Sequence, residues 1–161
     1  MELRIVEKNM IEETSRFARE VFIDYYTDIN GLEHATYMAD KFLSNKAISD
    51  LIDNGAIFKL VIENNQILGF YEVLKEENKV FLSKLYVHSN YRHKGIGRFM
   101  FEDIIKYTKD NNLNKIYLTV NKHNTPSYNM YLHLGFKVID SVVTDIGNNY
   151  VMDDYIMELT I

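Results

Sequence analysis

The period of apolar positions changes several times along the chain, and each change marks a new element. Leu3-Arg4-Ile5-Val6 reads as a short first strand. Asn9 and Glu12 have the spacing of a capping box, so a helix is expected from Met10. Met10, Thr14, Phe17, Ala18, Val21, Phe22 and Tyr25 then recur at three- and four-residue steps, the stripe of a helix with one buried face. Asn30-Gly31 ends it. A second helical stretch carries Tyr37, Met38, Phe42, Ile48, Leu51 and Ile52 and stops at Asn54-Gly55, where glycine suits a left-handed cap.

Beyond Gly55 the pattern becomes extended. Ala56 to Ile62 and Ile67 to Leu74 are rich in Ile, Val, Leu and Phe, and Glu63-Asn64-Asn65-Gln66 between them has turn chemistry. A second turn, Lys75 to Asn78, leads into Val80 to Val87, so three antiparallel strands follow in a row. A glycine-containing loop comes next, then a helix whose Ile96, Phe99, Met100, Ile104 and Tyr107 again step by three and four. Ile116, Leu118 and Val120 alternate as a strand. Thr125-Pro126 reads as N-cap and first-turn proline of a short helix that ends at Gly135. Strands over Phe136 to Thr144 and Tyr150 to Leu159 close the chain, giving the order β-α-α-β-β-β-α-β-α-β-β. This is an α/β (α+β) pattern, a mixed, mostly antiparallel sheet of about seven strands with helices on both faces.

Composition narrows the function. A chain of 161 residues without a linker, repeat or low-complexity tract is expected to be one domain over 1–161. It contains no Cys, which removes disulfides, Cys-ligated metals and a cysteine nucleophile. The alternating first residues lack a signal-like apolar core, and no apolar run approaches the roughly 20 residues of a membrane span, so a cytoplasmic protein is expected. A net charge of −5 argues against nucleic acid as a partner. The charge is uneven, however: Arg92 to Arg98 is a +3 window, leaving −8 on the rest of the chain.

That window is where chemistry is expected. Val87-His88-Ser89-Asn90-Tyr91-Arg92-His93-Lys94-Gly95-Ile96-Gly97 is a strand end, a loop and a helix start, and orphan N–H groups beside two glycines and three cations suit a phosphate ester. A dinucleotide fingerprint would need glycine at position 100, which is Met100, and a Walker loop would need Gly-Lys-Ser/Thr where Gly97-Arg98-Phe99 stands.

Arg92-x-x-Gly95-x-Gly97 after Leu85-Tyr86-Val87 resembles the pyrophosphate-binding motif of the GNAT superfamily of N-acetyltransferases. Asn124-Thr125-Pro126-Ser127-Tyr128-Asn129-Met130-Tyr131, ending in Gly135-Phe136, is similar to the second block of that family. The resemblance covers essentially the whole chain. It implies the GNAT fold, with acetyl-CoA as co-substrate in an opening where the fourth and fifth strands part. Leu85, Tyr86 and Val87 would face the pantetheine and thioester through their backbone. His93, Lys94, Gly95, Ile96, Gly97 and Arg98 would hold the pyrophosphate with Arg92, and Asn124 and Ser127 would lie along the pantetheine arm. Tyr131 matches the tyrosine that protonates the departing thiolate, a role a phenol of reference pKa about 10 can fill at neutral pH.

The same resemblance implies a primary amine as acceptor, bound by the first two helices and the final hairpin. Those segments hold Asp24, Tyr25, Tyr26, Asp28, Glu33, His34 and Met152-Asp153-Asp154-Tyr155. Acids among aromatics suit a cation, and the run from Ile146 to Met157 resembles the tail of bacterial spermidine/diamine acetyltransferases, so a polyamine or small cationic amine is expected. The alternatives are a protein N-terminus or lysine, and a non-catalytic acyl-CoA sensor. Asp153-Asp154 on an exposed strand edge is the plainer reading of those acids. Where many relatives carry a glutamate base this chain has Ser83, which leaves a water chain, or Glu72 on the neighbouring strand if that carboxylate is not simply solvent-facing. His88, His93, His123 and His133 lack ligand spacing, so no metal is expected. A homodimer through the terminal strands is expected from the family.

Overall fold

The computed structural model describes residues 1–161. Seven strands form one sheet in the order β1-β2-β3-β4-β5-β7-β6: β1 (Glu2–Ile5), β2 (Ile57–Glu63), β3 (Gln66–Lys75), β4 (Val80–Val87), β5 (Lys115–Asn121), β6 (Lys137–Gly147) and β7 (Tyr150–Thr160). Every neighbouring pair is antiparallel except β4 with β5. Asn64 and Asn65, and again Asn148 and Asn149, adopt positive φ, which Asn tolerates and two-residue hairpins require, so each pair closes a hairpin.

Five helices cover the sheet: α1 (Ile11–Asn30), α2 (Leu32–Phe42), α3 (Asn45–Asp53), α4 (Ile96–Asp110) and α5 (Thr125–His133). Strand alternation feeds two separate cores. Phe58, Leu60 and Phe70 pack under α1, α2 and α3. Val61, Tyr71 and Val73 pack under α4 and α5. Ala18, Ala35 and Ala39 are fully buried, and their small side chains let α1 and α2 pack closely, so a larger residue there would overpack the contact.

The single long helix expected between Gly31 and Gly55 is two helices. Ser44 breaks it, accepting a hydrogen bond from the Ala47 N–H (3.1 Å) as N-cap of α3. The Ser15 hydroxyl donates to the carbonyl of Leu43 (2.6 Å), satisfying a carbonyl that the broken helix leaves unpaired. Asn9 does not cap α1 either, because Lys8–Met10 forms a short 3-10 turn and Met10 takes the cap position. The cap of α5 is Asn124, not Thr125.

Two irregularities in the sheet create space near its centre. β4 and β5 pair only at Val80↔Ile116 and Phe81↔Tyr117, then part company. Between β3 and β4 the register passes from Glu72↔Lys84 to Val73↔Leu82, so Ser83 is an extra residue in β4 and forms a bulge. No helix is long and apolar enough to cross a membrane.

Candidate active site

The +3 loop becomes the N-terminus of α4. His93 and Gly95 both have positive φ (63° and 81°), a bend that Gly95 accepts without a Cβ penalty as it caps the helix. A Cβ placed on Gly95 or Gly97 would meet nothing within 4 Å, so open space lies before the first-turn N–H groups. This is a cradle of the right chemistry for an anion. It opens into a cavity of about 480 Å³ lined by Leu85, Tyr86, Val87, Arg92, His93, Gly95, Ile96, Gly97, Arg98 and Ser127, with Tyr25, Tyr91, Pro126 and Met130. Arg92 is fastened to the end of β4: its Nε donates to the Val87 carbonyl (3.2 Å) and its guanidinium lies 5.3 Å from the Tyr25 ring centre. Lys94 is not brought to this cavity. Its Nζ sits 5.8 Å from the Tyr91 ring, beside a separate hollow with Met1 and Glu63.

Where β4 and β5 separate, a narrow pocket of about 30 Å³ continues inward between Leu82–Tyr86 and Leu118–Val120. Tyr131, on α5, lines it and is 8% exposed. Its ring packs edge-on against Phe136, with centres 5.4 Å apart. Burial pushes the Tyr131 phenol above its ordinary pKa, with a smaller push from the charge of Tyr26 and Tyr25, so the hydroxyl holds its proton at neutral pH. Asn124 borders the same pocket at 2% exposure and is engaged from several sides. Its Oδ1 accepts from the Tyr25 hydroxyl (2.5 Å) and the Ser127 N–H (3.3 Å), and its Nδ2 donates to Tyr26 Oη (3.4 Å). Asn124 thus ties α1 to α5 across the opening.

A third cavity, about 280 Å³, lies on the α1–α2 side of the sheet. Phe22, Tyr26, Met38, Phe42, Phe81, Tyr86 and Met152 give it apolar walls, and Ser83, Lys84, Thr119, Asn121 and Asp154 supply polar groups. It shares Tyr26, Ser83, Lys84, Tyr86 and Thr119 with the narrow pocket, which in turn shares Leu85, Tyr86 and Ser127 with the anion cavity. The three spaces therefore line up through the gap between β4 and β5. Asp154 is 7% exposed, and its carboxyl is raised to about 6, first by burial and then by Asp153, with Lys122 opposing. Lys84 Nζ donates to Glu72 Oε1 (2.5 Å) and to Ser83 Oγ (3.2 Å).

Of the expected acceptor residues, Tyr26, Met152 and Asp154 line this cavity. Tyr25 turns to the anion cavity, and Asp24, Asp28, Glu33, His34, Asp153 and Tyr155 line neither. Strand alternation sends Asp153 to the opposite face from Asp154, where it pairs with Lys122 (3.0 Å). The edge reading of both acids fails, since β7 lies between β5 and β6. His34 stacks on Tyr150 at 4.2 Å. Glu72 is not solvent-facing: it is 2% exposed and paired. Lys84, Phe81 and Thr119 carry no signal in the sequence, because bulge and splay set their positions and neither shows in residue periodicity. No three His, Asp or Glu side chains gather as a metal-binding group.

Residues 16–136 match the acetyltransferase (GNAT) family. The chain is 25% identical over 158 residues to spermidine N(1)-acetyltransferase of Thermoplasma acidophilum, covering 95% of this chain and 96% of that protein. Its fold superposes with a TM-score of 0.82, at 25% identity and full coverage of both chains, on the crystal structure of the PaiA N-acetyltransferase of Thermoplasma acidophilum in complex with coenzyme A. A GNAT family acetyltransferase of Elizabethkingia anophelis with acetyl-CoA bound shares the fold, with a TM-score of 0.64 at 19% identity over 73% of this chain and 84% of that one.

Proposed function

The chain belongs to the acetyltransferase (GNAT) family, and from that premise we propose that it passes the acetyl group of acetyl-CoA directly to a small cationic amine, a diamine or polyamine. It is an acetyl-CoA-dependent N-acetyltransferase. The observation that carries the finer reading is the alignment of three spaces through the β4–β5 gap, with an anion cradle at one end and buried Asp154 among aromatic walls at the other. The relative named for spermidine supports the acceptor class.

In this reading the amides of Ile96, Gly97 and Arg98 bind the pyrophosphate, and Arg92 adds charge while bracing the end of β4. The backbone N–H of Leu85, which points to the side of β4 that the splay leaves open, stabilises the oxyanion as the amine attacks, an effect worth about 3–4 kcal/mol per donor. Tyr131 then gives its proton to the thiolate as the C–S bond breaks, and the proton lost by the acylated nitrogen restores the phenol. Asn124 holds Tyr25, Tyr26 and Ser127 at fixed positions around the opening. Asp154 anchors the distal cation of the acceptor, with Tyr26, Phe22 and Phe42 offering ring faces to its alkyl chain. Two copies pair along the edge strand β6, whose Val138, Ile139 and Val143 are exposed.

Acetyl-CoA incubated with diamines, polyamines, neutral-tailed monoamines and peptides, with release of free thiol followed, tests this. Fastest turnover with diamines or polyamines is expected. Turnover confined to peptides, or none with any amine despite CoA binding, would overturn the proposal.

A further inference from the structure

Lys84 and Glu72 stand directly opposite each other on β4 and β3, beside the Ser83 bulge, and form a buried ion pair at 2.5 Å. Taking both charges out of water costs several kcal/mol per ion, and apolar residues of similar volume often serve a fold as well or better. The sheet does not need this pair for pairing, since the register continues on both sides of it. Its position is informative. Lys84 lines both the acceptor cavity and the narrow pocket that holds Tyr131, whereas Glu72 lines neither. Lys84 lies along the cavity wall, and Glu72 is one hydrogen bond behind its Nζ.

An alkylammonium of pKa near 10 must lose a proton before it can attack, which at pH 7 costs about 4 kcal/mol. The phenols around the cavity are poor acceptors for that proton, because burial raises Tyr26, Tyr86 and Tyr131 and keeps them protonated. Resting on the reading of this cavity as the amine site, we propose that Lys84 and Glu72 form a relay that removes the proton from the acceptor. One N–H bond of Lys84 breaks as an O–H bond forms on Glu72, and the emptied position on Nζ takes a proton as an N–H bond of the acceptor ammonium breaks. The acceptor becomes a neutral amine, Lys84 stays an ammonium, and Glu72 becomes a carboxylic acid. After product leaves, the same two transfers in reverse pass the proton to water in the cavity. Lys84 is the catalytic residue of this step, and Glu72 acts through it. Asp154 on β7 is the other carboxylate facing the cavity, so the test includes it.

The test compares two acceptors of matched length and identical cationic tail: a diamine, and an alkoxyamine whose reacting nitrogen is already the free base at neutral pH. In Glu72→Gln and in Lys84→Met, kcat for the diamine should fall on the order of 10²–10⁴-fold, the usual contribution of proton transfer, while kcat for the alkoxyamine falls by less than about tenfold. Asp154→Asn should raise KM for both acceptors and leave the ratio of their kcat values near that of the unmodified protein. Should a lone buried charge prevent folding, Glu72→Leu combined with Lys84→Met removes both charges and should show the same selective loss. Equal loss on both acceptors, no loss on the diamine, or the selective loss appearing in Asp154→Asn instead would overturn the relay. Failure of the unmodified protein to acetylate either acceptor would overturn the amine-acceptor reading itself, and the relay with it.

Discussion

The cavities on either side of the β4–β5 gap are built from different materials. The anion side rests on backbone: the left-handed bend at His93 and Gly95, the first-turn amides of α4 and the edge of β4 that β5 leaves open. The acceptor side rests on side chains drawn from α1, α2, β4, β5 and β7, whose chemistry changes with a single substitution. Under the proposed function, the backbone site would recognise what every acyl-CoA shares, and the side-chain site would be retuned from one amine to another without disturbing it. Tyr131, Tyr86 and Lys84 sit where the two meet.

Substitutions on each side put that contrast at risk. Of these, the largest effect is expected at the junction: Tyr131→Phe should lower kcat by at least about tenfold with CoA affinity nearly unchanged, measured by steady-state rates and calorimetry. Next comes the acceptor wall. Asp154→Asn should weaken binding of a non-titrating dication, such as a bis-quaternary ammonium, by about tenfold or more, with little change for a neutral amine mimic. The pH dependence has a definite sign. Asp154 titrates at about 6, so it is charged above that pH and neutral below; affinity for the dication should fall as pH drops from 7.5 to 5, and the Asn variant should lose this dependence. The same raised carboxyl means that the folded state holds a proton the unfolded chain releases between about pH 4 and 6, so Asp154 favours folding more at pH 5 than at pH 7.

On the backbone side, Gly95→Ala should weaken CoA binding by about five- to thirtyfold, since a residue with a Cβ pays roughly 1–2 kcal/mol for the left-handed bend. The smallest effect is expected from Arg98→Ala. Its side chain is 83% exposed and already pairs with Glu102, so CoA affinity should change by less than about fivefold and still less in high salt. An Arg98 effect larger than that of Gly95 would mean that side-chain charge, and not the amide cradle, carries the anion side.

The two sides were also unequally legible in the sequence. Gly95, Gly97 and the Arg92 spacing announce the cradle because a backbone bend restricts which residues can occupy it, and ten of the expected cofactor residues line one cavity. The strands were legible through period-two alternation, down to Val80–Val87. The acceptor cavity was not. Asp154 and Asp153 are adjacent and chemically identical, and only their alternation across a strand packed on both sides separates the buried one from the paired one. Lys84 depends on a one-residue bulge at Ser83 that leaves no periodic trace. The break at Ser44 was hidden because apolar spacing continues on both sides of it.

In the proposed reaction the acetyl group crosses directly between two cavities filled at once, with no acyl-enzyme, as the absence of Cys requires of the commonest thiol route. Initial rates with acetyl-CoA and a diamine varied against each other decide whether it does. Intersecting double-reciprocal lines are the expected result, marking a ternary complex. Parallel lines, with an acetylated protein trapped in the absence of amine, would rule direct transfer out.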